Sequence, residues 1–168
     1  MHDPARPAPW IGGTGAAAAF YDELTAALGA LLKGETDGLA NVANAAAAIY
    51  NSLPELNWAG FYVLRGGELV LGPFQGRPAC VRIPLGRGVC GTAAAERRAV
   101  LVPDVATFPG HIACDLSSRS ELVVPLLESG RVVGVLDLDS PRVARFTPAD
   151  LAGCERLASL VAPYVARL

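Results

Sequence analysis

The chain carries a single lysine, Lys33, and no block of Lys or Arg; its 14 basic residues against 16 acidic ones leave a formal net charge of −2. Nucleic acid is held by clustered positive charge, so a nucleic-acid partner is not expected. Long apolar runs are missing too. The longest weakly charged stretch, Gly38 to Pro54, contains three Asn and is short for a membrane span, so no membrane partner is expected either. The N-terminus sets His2, Asp3 and Arg6 among prolines and has no apolar signal-peptide core, which makes the cytoplasm the expected compartment. No C-x-x-C pair occurs. His111 and Cys114 form an isolated H-x-x-C pair, which is too few ligands for zinc, so neither a metal nor a cofactor is expected.

What is present suits one domain with a real core: 168 residues, 52% of them hydrophobic. Residues 1–15, rich in Pro, Gly and Ala, read as a flexible N-terminal tail, and 16–168 as the domain. From Ala16 to Lys33, Phe20, Leu24, Leu28, Leu31 and Leu32 recur at helical spacing. Thr36 or Asp37 can cap a second helix with Leu39, Val42, Ala46, Ile49 and Leu53 on one face, ended by Pro54. Two strands meet at Gly66-Gly67, a hairpin signal. ACVRIPL reads as a short strand, GVCGTAAAERR as a short helix and AVLVPDV as another strand. Pro103 to about Ser120 is irregular, and such long loops are often functional. A second hairpin turns near Ser129-Gly130, with strands apolar enough to lie centrally. The last helix has Thr147 at its N-cap, Pro148 at N1 and Asp150 at N3, with Leu151, Cys154, Ala158, Val161 and Val165 along one face. The order predicts an α+β fold: a mostly antiparallel sheet flanked by helices.

Three features carry chemistry. Cys114 sits in the polar segment FPGHIACDLSSRS, off any periodic pattern, where a reduced thiol is open to reaction. His111, Asp115, Glu121 and the later DLD pair are its candidate supports. Cys154 reads as buried. Cys80 alternates with Val81 in a strand. Cys90 opens a helix, where free amides favour the thiolate, but it also suits plain packing. Asp137 and Asp139 lie two apart on a strand and share a face, either as a strand end reaching solvent or as part of an acidic cluster with Glu121, a cross-strand neighbour of Asp139. Such a cluster can bind an ammonium group and can hold one carboxyl protonated near neutral pH. Trp58 and Tyr62, four apart, are core packing or an apolar wall for a small ligand.

Together NWAGFY, LGPFQGRPACVRIPLGRGVCGTAAA, FPGHIACD, SELVVPL and GVLDLDSP resemble the free methionine-(R)-sulfoxide reductases, single GAF domains, over Ala16 to Leu168. The resemblance implies a six-stranded antiparallel sheet with helices on one side, a homodimer, and reduction of free L-methionine-(R)-sulfoxide without a cofactor. It implies Cys114 as nucleophile, passing through a sulfenic acid, Cys80 as resolving thiol in a Cys80–Cys114 disulfide, Cys90 as a third active-site cysteine, and thioredoxin as reductant. Glu121, Asp137 and Asp139 match its active-site carboxylates, and Trp58 and Tyr62 its methyl-sulfide pocket. Backbone N–H groups of Phe108–Cys114 are the expected donors to the substrate carboxylate. A sensor without catalysis would need none of these cysteines, and a thiol switch would need no carboxylates.

Overall fold

The computed structural model describes residues 14–112 and 114–168. The elements run α1 (Thr14–Leu32), α2 (Gly38–Ser52), β1 (Trp58–Arg65), β2 (Glu68–Gly76), β3 (Arg82–Pro84), α3 (Gly88–Glu96), β4 (Val100–Val102), a 3-10 turn (Val105–Thr107), β5 (Ser120–Glu128), β6 (Arg131–Ser140) and α4 (Pro148–Val165). α1 includes Thr14 and Gly15, and the rest of the expected tail lies outside the described residues.

Six strands form one sheet in the order β3-β2-β1-β6-β5-β4. Every neighbouring pair is antiparallel. Both hairpins turn where expected, because Gly66, Gly67, Ser129 and Gly130 all adopt the positive φ that tight turns require. Pro125 sits inside β5 although it cannot donate to a ladder. It is tolerated because β4 pairs only Glu121 to Val123, leaving that side of β5 open at Pro125.

β1, β5 and β6 are apolar on both faces because both faces are covered. Ala59, Phe61, Val63, Leu122, Val124, Leu136 and Leu138 pack against α1, α2 and α4 in the larger core. Trp58, Tyr62, Val123 and Val135 face the other way and pack with Val89, Cys90, Ala93 and Ala94 of α3. The helices therefore lie on two sides of the sheet, not one. Gly91 lets α3 settle this closely: a Cβ there would lie 2.3 Å from the Pro84 carbonyl oxygen.

The helix signals hold with two exceptions on the apolar stripes. Asp37 caps α2, its carboxylate accepting from the Ala40 N–H, and Thr147 and Asp150 form a reciprocal capping box on α4. Leu39, expected inward, is 60% exposed. Gly38 takes the inward place, pressed so close to the end of α4 that a Cβ would meet the Tyr164 carbonyl oxygen at 2.7 Å. Leu31 is also largely exposed. Beneath α4 lies a buried polar knot. Tyr21 donates to Asp150 Oδ1 at 2.8 Å, and Arg145 Nη1 lies 3.3 Å from the same oxygen. The Cys154 thiol, fully buried, donates to Tyr21 Oη at 3.8 Å, and burial pushes its pKa up to about 12. Cys154 is a buried free thiol packed in the larger core, as its place on the apolar face of the helix predicts. Among the described residues no helix is long and apolar enough to cross a membrane.

Candidate active site

Strand register assembles the acidic cluster. Glu121 stands directly opposite Asp139 across β5 and β6, and Asp137 opposite Val123. Side chains two apart on a strand share a face, so all three carboxylates project toward α3, as Val123 does. Glu121 and Asp137 are buried and Asp139 is partly so. Burial, then the charge of Asp139, drives the Glu121 pKa well above the usual carboxylate range. Burial, then Glu121, does the same to Asp137, and burial, then Asp137, to Asp139. Three acids this close cannot all ionise, so they titrate as a unit and keep protons to unusually high pH. Asp137 Oδ1 is buried without a hydrogen-bond partner, an acceptor left facing the cleft.

Cys90 enters the cluster from the first turn of α3. Its Sγ lies 3.9 Å from Glu121 Oε1, and Cys90, Glu121 and Asp137 each bring an atom within 4.8 Å of the other two. Of the two readings of Cys90, this placement favours the packed thiol over the thiolate. Burial, followed by the charges of Asp137 and Glu121, raises the Cys90 pKa well above that of a free thiol. The helix terminus is outweighed.

Cys80 and Cys114 are joined as a disulfide with Cα atoms 5.4 Å apart, inside the roughly 7 Å such a bridge permits. The strand expected around Cys80 is shorter than ACVRIPL. Pairing begins only at Arg82, and Cys80 lies in the preceding loop. Pro78 brings no N–H to a ladder. The segment is held instead by Tyr62 Oη donating to the Cys80 carbonyl at 3.0 Å and the Leu71 N–H donating to the Val81 carbonyl at 2.9 Å.

The Cys114 loop is tied down by a neighbour the sequence reading passed over, Asn57, although it stands beside Trp58 in the NWAGFY word. Asn57 Nδ2 donates to Asp115 Oδ2 at 3.0 Å and to Ser118 Oγ at 2.9 Å, while its backbone N–H donates to the Asp139 carbonyl at 3.1 Å. Asp115 Oδ1 also accepts from the Ser117 N–H and hydroxyl, which with Asn57 holds its pKa low. Asp115 thus acts as a loop anchor. His111 faces Glu121, with Nε2 3.5 Å from Oε2, and burial lowers its pKa. The backbone N–H of His111 is already given to the Phe108 carbonyl, so it is not a free donor for a ligand.

Cys90, His111, Cys114, Glu121, Asp137 and Asp139 line a cleft that also includes Tyr62, Ile83 and Ile112. Tyr62 faces it directly. Trp58 stands behind, stacked on Tyr62 at 5.9 Å between ring centroids and on Phe74 at 5.3 Å. Gly60 makes room for that stack: a Cβ there would lie 2.6 Å from Trp58 Cη2. The arrangement joins a disulfide, carboxylates with raised pKa values and an aromatic wall, groups suited to two-electron reduction of a small polar molecule.

The sequence pattern of the GAF domain family matches residues 21–166. The free methionine-R-sulfoxide reductase of Escherichia coli is 52% identical over 138 residues, covering 82% of this chain and 84% of that protein. Its namesake from Saccharomyces cerevisiae is 43% identical over 150 residues, covering 84% and 83%. The X-ray structure of free methionine-R-sulfoxide reductase from Neisseria meningitidis in complex with its substrate superimposes with a TM-score of 0.88 at 42% identity, covering 99% of this chain and 98% of that one. A disulfide whose Cys114 lines an acidic cleft, on a fold and sequence this similar, places the chain in the free methionine-(R)-sulfoxide reductase family of GAF domains.

Proposed function

We propose that this protein reduces free L-methionine-(R)-sulfoxide to L-methionine and is recycled by a thioredoxin-type dithiol. The observation that carries the reading is the Cys80–Cys114 disulfide beside Glu121, Asp137 and Asp139. In the reduced protein Cys114 attacks the sulfoxide sulfur. The oxygen passes to Cys114, whose sulfur loses two electrons to become a sulfenic acid, while the substrate sulfur gains two and leaves as methionine. Cys80 then attacks the sulfenic acid, closing the disulfide and releasing water. Thioredoxin returns two electrons by thiol exchange.

The carboxylates supply what the substrate needs. A sulfoxide oxygen leaves poorly until protonated, and a buried neutral carboxyl at Glu121 or Asp137 is suited to give that proton. The ionised member of the cluster, with the unpartnered Asp137 oxygen, suits the substrate ammonium. Tyr62, backed by Trp58, forms the wall for the methyl-sulfide end. Cys90, buried and protonated, is better suited to hydrogen-bond Glu121 than to act as nucleophile, and it serves as the alternative resolving thiol. Assembly as a homodimer and residence in the cytoplasm, where thioredoxin keeps thiols reduced, belong to the same proposal.

The direct test follows NADPH oxidation with thioredoxin, thioredoxin reductase and free methionine-(R)-sulfoxide. Turnover that requires all three is expected. A chain that consumes NADPH equally with the (S) epimer, or not at all, would contradict the reading.

A further inference from the structure

Two large apolar side chains flank the disulfide in full view of solvent. Leu116, two residues after Cys114, is 91% exposed, and Val81, adjacent to Cys80, is 64% exposed. The two Cα atoms of the bridge lie 5.4 Å apart, and Val81 and Leu116 follow the bridged cysteines by one and two residues along the chain. Neither serves the cleft or the core. An exposed leucine alone is ordinary, but two apolar groups bracketing the one bond that must meet a partner are not. The surroundings are also mostly basic, although Arg82 pairs with Glu68 and Arg77 lies 4.0 Å from Asp115 Oδ1. The run from Leu69 to Ala95 contains no Asp or Glu but carries Arg77, Arg82 and Arg87, all exposed, in a chain whose net charge is −2. Arg77 and Arg82 have 78% and 59% of their side-chain surface open.

We propose that Val81 and Leu116, rimmed by Arg77, Arg82 and Arg87, form the docking surface for an acidic dithiol protein that reduces the Cys80–Cys114 disulfide. The inference rests on the reductase reading and names the surface its recycling uses. An apolar centre excludes water from the exchanging sulfurs, while the arginine rim attracts and orients an acidic partner. In the exchange a partner thiolate bonds to one sulfur of the bridge and the Cys80–Cys114 bond breaks. The freed sulfur takes a proton. The partner's second thiol then attacks the mixed disulfide, so Cys80 and Cys114 leave reduced and the partner leaves as a disulfide.

Two reductants separate the surface from the chemistry. With thioredoxin, Leu116→Asp and Val81→Asp are expected to raise KM for thioredoxin by roughly tenfold or more, as loss of an interface anchor does. Arg82→Glu should raise it too and flatten its dependence on salt. With dithiothreitol, which needs no docking surface, all three variants should match the wild type, and Leu116→Met should behave as wild type with both. An unchanged KM for thioredoxin in both aspartate variants overturns the proposal. An equal loss with dithiothreitol overturns it as well, because the residues would then support the site itself. A change in oligomeric state accompanying Leu116→Asp assigns the patch to a second copy of the chain and likewise overturns it. Absence of wild-type turnover with dithiothreitol would instead contradict the reductase reading, while turnover with dithiothreitol and none with thioredoxin overturns the partner assignment alone.

Discussion

Glu121 and Asp139 face each other directly across the central β5–β6 ladder, and Asp137 completes an acidic cluster on the same face. Like charges opposite one another destabilise a sheet unless something neutralises them. Here the raised carboxyl pKa values favour the neutral forms, and a neutral carboxyl is what the proposed sulfoxide reduction requires.

Replacing Asp137 by Asn keeps the shape of the site and removes a titrating carboxyl. The single-turnover rate of methionine release is expected to fall by about a hundredfold or more, the scale of lost acid–base catalysis. Rapid-quench measurement of methionine on the reduced protein checks this. A wild-type rate would reduce Asp137 to a packing residue.

The raised carboxyl pKa values set a sign for stability against pH. Glu121, Asp137 and Asp139 bind protons more tightly folded than unfolded. Their contribution is complete below the unfolded carboxyl pKa of about 4 and is lost as pH climbs through the raised folded values. The melting temperature of the wild type should therefore drop more steeply with rising pH than that of Asp137→Asn. Parallel curves would show that Asp137 does not retain its proton.

Most of the fold was legible because the signals are local. Gly66-Gly67 and Ser129-Gly130 mark the hairpins, and a turn once fixed sets the register, which is why Glu121 could be paired with Asp139 from the sequence. The Thr147–Asp150 box is equally local. What escaped depends on packing between distant segments. Nothing near Cys90 reveals that α3 settles onto β5 and β6 and buries its thiol among carboxylates. Nor does the His111–Glu121 contact or the Asn57 anchor of the Cys114 loop leave a periodic trace. Cys80 misled because alternation over a few residues resembles a strand even where a proline and two loop hydrogen bonds hold the chain.

The buried knot under α4 gives a prediction independent of catalysis. Arg145 contacts Asp150, donates through Nε to the Pro54 carbonyl at 3.1 Å, and is almost fully buried with it. Arg145→Met leaves Asp150 with an uncompensated buried charge, so the unfolding free energy should fall by about 3–5 kcal/mol. Urea denaturation measures it. A loss below about 1 kcal/mol would mean that the pair behaves like a surface ion pair.

The division of labour between Cys114 and Cys80 is tested most directly by counting methionine released per site from fully reduced protein without a recycling system. Cys80→Ser is expected to release about one methionine per site, one oxygen passing to Cys114, and to recycle poorly when thioredoxin is then supplied. Cys114→Ser is expected to release none. Methionine released by Cys114→Ser, or sustained thioredoxin-linked turnover by Cys80→Ser at the wild-type rate, would contradict the assignment of nucleophile and resolving thiol.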